Sequence, residues 1–183
     1  MTTRWLTPEE QRAWRAYIGT VLLLEDALDR QLQSEAGMPH LYYSILTHLS
    51  EAEDRRLRMT DLAGLLKITR SRLTYAVGRL EKDGVVRREG CASDKRGSIA
   101  VLTDEGMALL ERVAPGHVET VRAALFDHLT PEQVGQLEEI FTGVARALEG
   151  AEGAEGEEGA GEGTGGVGGG RGVPWLRRST ACT

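Results

Sequence analysis

Residues 60–103 change their apolar rhythm in an order that few folds accommodate. Leu62, Ala63 and Leu66 recur at helical spacing, and the pattern breaks over residues 67–69. A second helical pattern then places Leu73, Val77 and Leu80 on one side and Arg70, Arg72 and Arg79 on the other. Gly84 ends it, since a helix terminus favours a residue free to take a positive φ. Two β-prone runs follow, residues 85–89 and 98–102, joined by a glycine-bounded loop that holds Lys95 and Arg96. Helix, turn, helix and β-hairpin in that order predict a winged helix–turn–helix, a mainly α fold with a small β-wing.

The flanks are helical by the same rules. Thr7-Pro8-Glu9-Glu10 is a helix start with Thr as cap, Pro in the first turn and Glu10 in capping-box register. Behind it Trp14, Tyr17, Ile18, Val21, Leu24, Leu28 and Leu32 form one apolar stripe, stopped by Gly37-Met38-Pro39. His40–Glu51 is a second helix with Leu41, Ile45, Leu46 and Leu49 inward. Thr60 is the expected cap of the third helix and Thr69 of the fourth. Thr103-Asp104-Glu105 opens a fifth, apolar at Leu109, Leu110, Val113, His117, Val118, Val121, Leu125 and Phe126. Pro115 falls inside it and predicts a kink rather than an end, because the apolar period continues. Thr130-Pro131-Glu132-Gln133 starts a sixth, with Val134, Leu137, Ile140, Phe141, Val144 and Leu148 on its stripe. Residues 150–172 then carry twelve glycines among Glu and Ala, too little apolar surface to offset the entropy of ordering. The expected organisation is therefore one domain over residues 1–149, winged unit at about 40–103, and a disordered Gly/Glu-rich tail over 150–183. One small winged unit cannot cover three long apolar stripes, so helices in 7–36 and 104–149 are expected to join two copies into a homodimer.

Charge points to the partner. The chain carries a net charge of −6, yet residues 55–96 hold twelve Lys/Arg against five Asp/Glu, an excess of seven, leaving −13 on the remainder. A basic face on an acidic body suits a polyanion, and a helix beside a basic loop suits the major and minor grooves of double-stranded DNA. No apolar stretch is long enough for a membrane span and no leader precedes the first helix, which predicts a cytoplasmic protein. Cys91 and Cys182 are neither a metal-spaced pair nor a disulfide framework, and His40 and His48 stand two turns apart, so neither metal nor cofactor is expected. No Ser/His/Asp, Cys/His, paired-carboxylate or phosphate-loop pattern occurs, which argues against an enzyme.

The segments TRSRLTYAVGRLEKDGVVRR and RREGCASDKRGSIAVLT, with Asp94-Lys95-Arg96-Gly97 followed by Leu102-Thr103, strongly resemble the recognition helix and wing of the MarR family of bacterial transcription regulators. The resemblance covers about residues 8–149. It implies an obligate homodimer with intertwined terminal helices, bound to a short promoter palindrome, usually as a repressor. It also implies release by a small molecule, often an aromatic acid or phenol, that enters a cleft between the dimer and DNA-binding regions. The glycine-acid tail and Cys91 in the wing depart from the pattern.

Candidate DNA-binding residues are Thr69, Arg70, Ser71, Arg72, Thr74 and Tyr75 at the exposed start of the recognition helix, where Arg can pair with guanine and hydroxyls with phosphate or base edges. Arg79 either reaches phosphate or braces the wing. Arg96 is the expected minor-groove cation and Asp94 the residue that holds an arginine in place, with Lys95, Arg87 and Arg88 as backbone contacts or general electrostatics. Candidate effector residues are Trp14, Tyr17, Met38, His40, Tyr42 and Tyr43, for which core packing is the alternative. Two rival functions stay open: a winged-helix module that docks proteins, and a regulator that senses redox state through Cys91 among Arg87, Arg88 and Lys95. The family's peroxide sensors carry that cysteine near the N-terminus, where this chain has none.

Overall fold

A computed structural model describes the backbone of residues 2–91 and 94–157 and the side chains of residues 2–90 and 98–150. The chain divides into two compact units, Met1–His128 and Leu129–Thr183.

In the first unit α1 (Pro8–Ala36) starts as its sequence dictates. Glu10 donates its backbone N–H to Thr7 Oγ1 at 3.2 Å, and Thr7 returns its own to Glu10 Oε2 at 2.7 Å. Gly37, at φ 63°, closes the helix in the left-handed conformation. α2 (His40–Glu51) occupies its expected span, with Ile45, Leu46 and Leu49 wholly buried. α1 is fully buried only at Leu28 and Leu32, and it packs against α2 and the fifth helix; Trp14 (55% exposed) and Tyr17 (42%) stay exposed in the single chain, on a stripe expected to bury against a second copy.

A short 3-10 turn (Glu53–Arg55) leads into β1 (Arg56–Arg58), a strand the sequence pattern missed. Three residues are too few for a period to register. The strand exists because Arg56, Leu57 and Arg58 pair with Val101, Ala100 and Ile99. It also displaces the next cap: α3 (Met59–Leu65) begins directly after Arg58, and Thr60 lies inside the helix with no capping bond. α4 (Arg70–Lys82) is capped by Thr69 as expected, and Gly84 turns the chain at φ 75°.

β2 (Val86–Cys91) and β3 (Asp94–Leu102) form the wing, and the sheet order is β1-β3-β2, all antiparallel. Both strands outrun their expected limits. Pairing continues through Gly90↔Ser98 to Cys91↔Asp94 with a register shift between Gly90 and Cys91. The backbones of Lys95 and Arg96 therefore belong to β3 and not to a loop, because ladder hydrogen bonds recruit residues whose side chains carry no strand signal.

α5 (Asp104–Ala124) is capped by Thr103 and runs through Pro115 without ending; Leu125 and Phe126 leave it for a short 3-10 turn, Phe126–His128. Gly106 in its first turn is a close-approach position, since a Cβ there would stand 2.1 Å from the Val85 carbonyl oxygen. The core lies where α2, α3, α4 and the sheet meet, around Leu46, Leu62, Leu73, Val77, Leu80 and Val86.

In the second unit α6 (Pro131–Glu157) opens with a reciprocal cap between Thr130 and Gln133 at 2.8 and 3.3 Å. It continues past Gly150, where the tail was expected to begin, and residues 158–183 of that tail lie outside the described residues.

Candidate nucleic-acid interface

α3 ends in a Schellman turn: Lys67 donates its N–H to the Gly64 carbonyl at 3.2 Å, and Ile68 to Ala63 at 3.1 Å. Lys67 takes φ 51° to make that turn. Thr69 Oγ1 then accepts the Arg72 amide at 3.3 Å, which fixes where α4 begins. The apolar period buries Leu73, Ala76, Val77 and Leu80 and leaves Arg70, Ser71, Arg72, Thr74, Tyr75 and Arg79 exposed on the opposite side. The expected recognition face is thus brought together on one helix. Tyr75 is 69% exposed, unusual for so large a ring. Thr74 donates its hydroxyl proton to the Arg70 carbonyl at 2.8 Å, which leaves it an acceptor toward solvent. The first turn of α4 contains no acid, so the positive end of the helix adds to Arg70 and Arg72.

The basic residues divide into two groups. Arg88 is taken up by Glu81: Nε and Nη2 reach Oε2 at 2.9 and 2.6 Å, and the Arg88 backbone N–H donates to Oε1 at 3.2 Å. Hydrogen bonding from Arg88 holds the Glu81 carboxyl below the usual carboxylate range. Glu89 holds Arg56 at 2.8 Å and also pairs with Arg87. Arg70, Arg72, Arg79 and Lys82, by contrast, have no carboxylate partner among the described residues. The side chains of Cys91, Asp94, Lys95 and Arg96 lie outside the described residues, and with them the expected wing contacts.

The effector candidates separate into three places. Met38 and Tyr42 line a cleft of about 580 Å³ that also includes Tyr75, Arg79, Leu109 and Arg112. His40 and Tyr43 belong instead to a ring cluster with His117: centroids are 5.6 Å apart for His40–His117 and 4.3 Å for Tyr43–His117. His40 Nδ1 lies 2.9 Å from Glu25 Oε2, and its backbone N–H donates to Asp29 Oδ1 at 2.8 Å. Burial raises the Tyr43 phenol, while burial and then the charge of His40 push His117 below the ordinary imidazole value. Trp14 and Tyr17 lie beside each other on α1, with ring centroids 6.0 Å apart. Arg112 and His117 escaped sequence reasoning. Arg112 belongs to no motif and His117 falls on the apolar stripe of the fifth helix, so only the packing of α5 shows the neighbours of either.

Among the described residues no helix is long and apolar enough to cross a membrane. The profile described as the MarR family matches residues 36–97. The crystal structure of Sco3205, a MarR family transcriptional regulator from Streptomyces coelicolor solved in complex with DNA, superposes with a TM-score of 0.77 at 62% identity, over 80% of this chain and 92% of that one. The regulator PecS of Dickeya dadantii is 32% identical over 112 residues, 59% of this chain and 68% of PecS. The repressor YetL of Bacillus subtilis is 34% identical over 97 residues, 53% of this chain and 58% of YetL, so the match spans little more than half of that relative.

Proposed function

The chain belongs to the MarR family of transcriptional regulators, and from that premise we propose that it binds a pseudo-palindromic promoter site as a homodimer and represses the adjacent gene. α4 enters the major groove with Arg70 and Arg72 foremost, and the β2–β3 wing, with Arg96, follows the flanking minor groove. Two subunits read half-sites about one helical turn, ~10 bp, apart. The observation that carries this is the set of arginines at the start of α4, exposed and without carboxylate partners among the described residues. The DNA-bound Sco3205 supports the same partner, and the name of YetL the same direction of control. The second copy is supported by apolar surface left open on α1 at Trp14, Tyr17 and Val21 and on α6 at Ile140, Val144 and Leu148. The test is fluorescence anisotropy with duplexes selected from random-sequence DNA by the intact chain. Arg72→Ala should weaken the selected site by about 1–3 kcal/mol. Equal affinity of the wild-type chain for every duplex, even in dilute salt, would refute the reading.

The cleft beside α4 supports regulation by a small organic anion. Met38, Pro39, Tyr42, Leu80 and Leu109 offer apolar walls, and Arg79 and Arg112 offer cations against the single acid Asp83. Tyr75 and Arg79 line both this cleft and the exposed face of α4, so an occupant acts directly on residues that meet DNA. Benzoate or phenol should release the bound duplex from the wild-type chain, and Arg112→Ala should blunt the response to benzoate more than that to phenol.

A further inference from the structure

The sequence marks Arg88 as one more cation for the DNA backbone, and the structure gives it different work. β2 is an edge strand, so along its outer side it has N–H groups without a ladder partner. Arg88 presents its N–H outward, and Glu81, in the last turn of α4, accepts it at 3.2 Å. The same carboxylate takes two donors of the Arg88 guanidinium at 2.9 and 2.6 Å. Both oxygens of Glu81 are therefore spent on one residue of the wing. The pair lines a shallow groove together with Thr74, Tyr75, Arg79 and Lys82. The corner between α4 and β2 is pinned on its far side, where Thr103 donates to the Gly84 carbonyl at 2.8 Å.

We propose that Glu81 is a positioning residue for DNA binding: by clamping Arg88 through main chain and side chain it sets the angle between recognition helix and wing, and Arg88 serves DNA through Glu81 and not by neutralising a phosphate. This rests on the DNA-binding function proposed above. A half-exposed ion pair adds little to stability, but a planar fork closed on a carboxylate fixes direction as well as distance. Two grooves can be read at once only when the two reading elements keep a fixed relation.

The test compares the full chain with Glu81→Gln, Glu81→Ala, Arg88→Ala, the double alanine variant and the exchanged pair Glu81→Arg with Arg88→Glu, on one duplex selected by the wild-type chain. Each single alanine variant should weaken binding about fivefold with little change in melting temperature. The double variant should be no worse than either single, Glu81→Gln should fall between, and the exchanged pair should recover part of the loss, since it restores the ion pair but leaves the N–H of residue 88 without its carboxylate acceptor. Arg88→Ala should leave the salt dependence of binding unchanged, and hydroxyl-radical protection should fade at the wing before it fades under α4. The proposal is overturned if Arg88→Ala lowers the salt slope by about one while Glu81→Ala tightens binding, since both would mark Arg88 as a phosphate contact. It is also overturned if the two alanine effects add. Failure of the DNA-binding function itself would appear earlier and separately, as absence of any selected duplex with the wild-type chain.

Discussion

The imidazole of His117 stacks on that of His40, with ring centroids 5.6 Å apart, and its buried Nδ1 finds no hydrogen-bond partner among the described residues. Two protonatable rings face one another here; Tyr43 lies against both, 4.3 Å from His117 and 6.5 Å from His40 between ring centroids, and Glu25 and Asp29 bond to His40. Glu35, also on α1, lies against Gly116 next to His117 in the chain.

This arrangement predicts acid sensitivity. The folded state holds His117 below its ordinary value, so in mildly acidic solution the unfolded chain binds a proton that the folded chain refuses. The stability this group contributes is present above the unfolded imidazole value and is lost as pH falls toward the depressed one. Thermal melts from about pH 8 to about pH 5 should show a decline that His117→Phe reduces. An identical decline in the variant would remove His117 from the explanation.

Two glycines at the wing corner should fail in different ways. Gly106→Ala puts a methyl group 2.1 Å from the Val85 carbonyl oxygen and 2.6 Å from a Leu102 methyl, so backbone must shift, at a cost of about 1–3 kcal/mol. Gly84→Ala meets no neighbour, but its φ of 75° costs an L-residue about 1–2 kcal/mol. Urea unfolding measures both. Gly84→Asn should recover part of the second loss, since Asn tolerates the left-handed region, and no similar polar substitute should rescue Gly106.

Thr103 has two tasks, capping α5 by accepting the Gly106 amide at 3.0 Å and pinning the corner by donating to Gly84 at 2.8 Å. Thr103→Ala should cost roughly 1–2 kcal/mol in chemical denaturation, and Thr103→Ser should restore most of it. A serine variant as weak as alanine would assign the loss to the methyl group.

The proposed dimer depends on apolar stripes that one chain leaves in water. Ile140→Asp combined with Val144→Asp puts two charges on the exposed stripe of α6. Light scattering should then report monomers, with helical circular dichroism retained, since each apolar side chain buried between copies contributes about 1.5–3 kcal/mol. A dimer that persists would exclude this face.

Much of the molecule was legible in the chain because its signals are local. Thr7, Thr69, Thr103 and Thr130 announced their helices, since a cap is decided by residues three apart. The exposed face of α4 followed from period alone, since burying Leu73, Val77 and Leu80 leaves Arg70 and Arg72 nowhere else to point. Folding in three dimensions decided the rest. β1 exists only by pairing with residues far along the chain, and its arrival moved the start of α3 away from Thr60. Arg88 reads like Arg72 in sequence, yet a carboxylate one turn before the corner claims it. His40 meets His117, and Met38, Tyr42 and Arg112 come to line one cleft, because α5 packs against α1 and α2. Spacing along a chain encodes periods and caps, whereas the partner of a charge or a ring is set by which elements the core draws together.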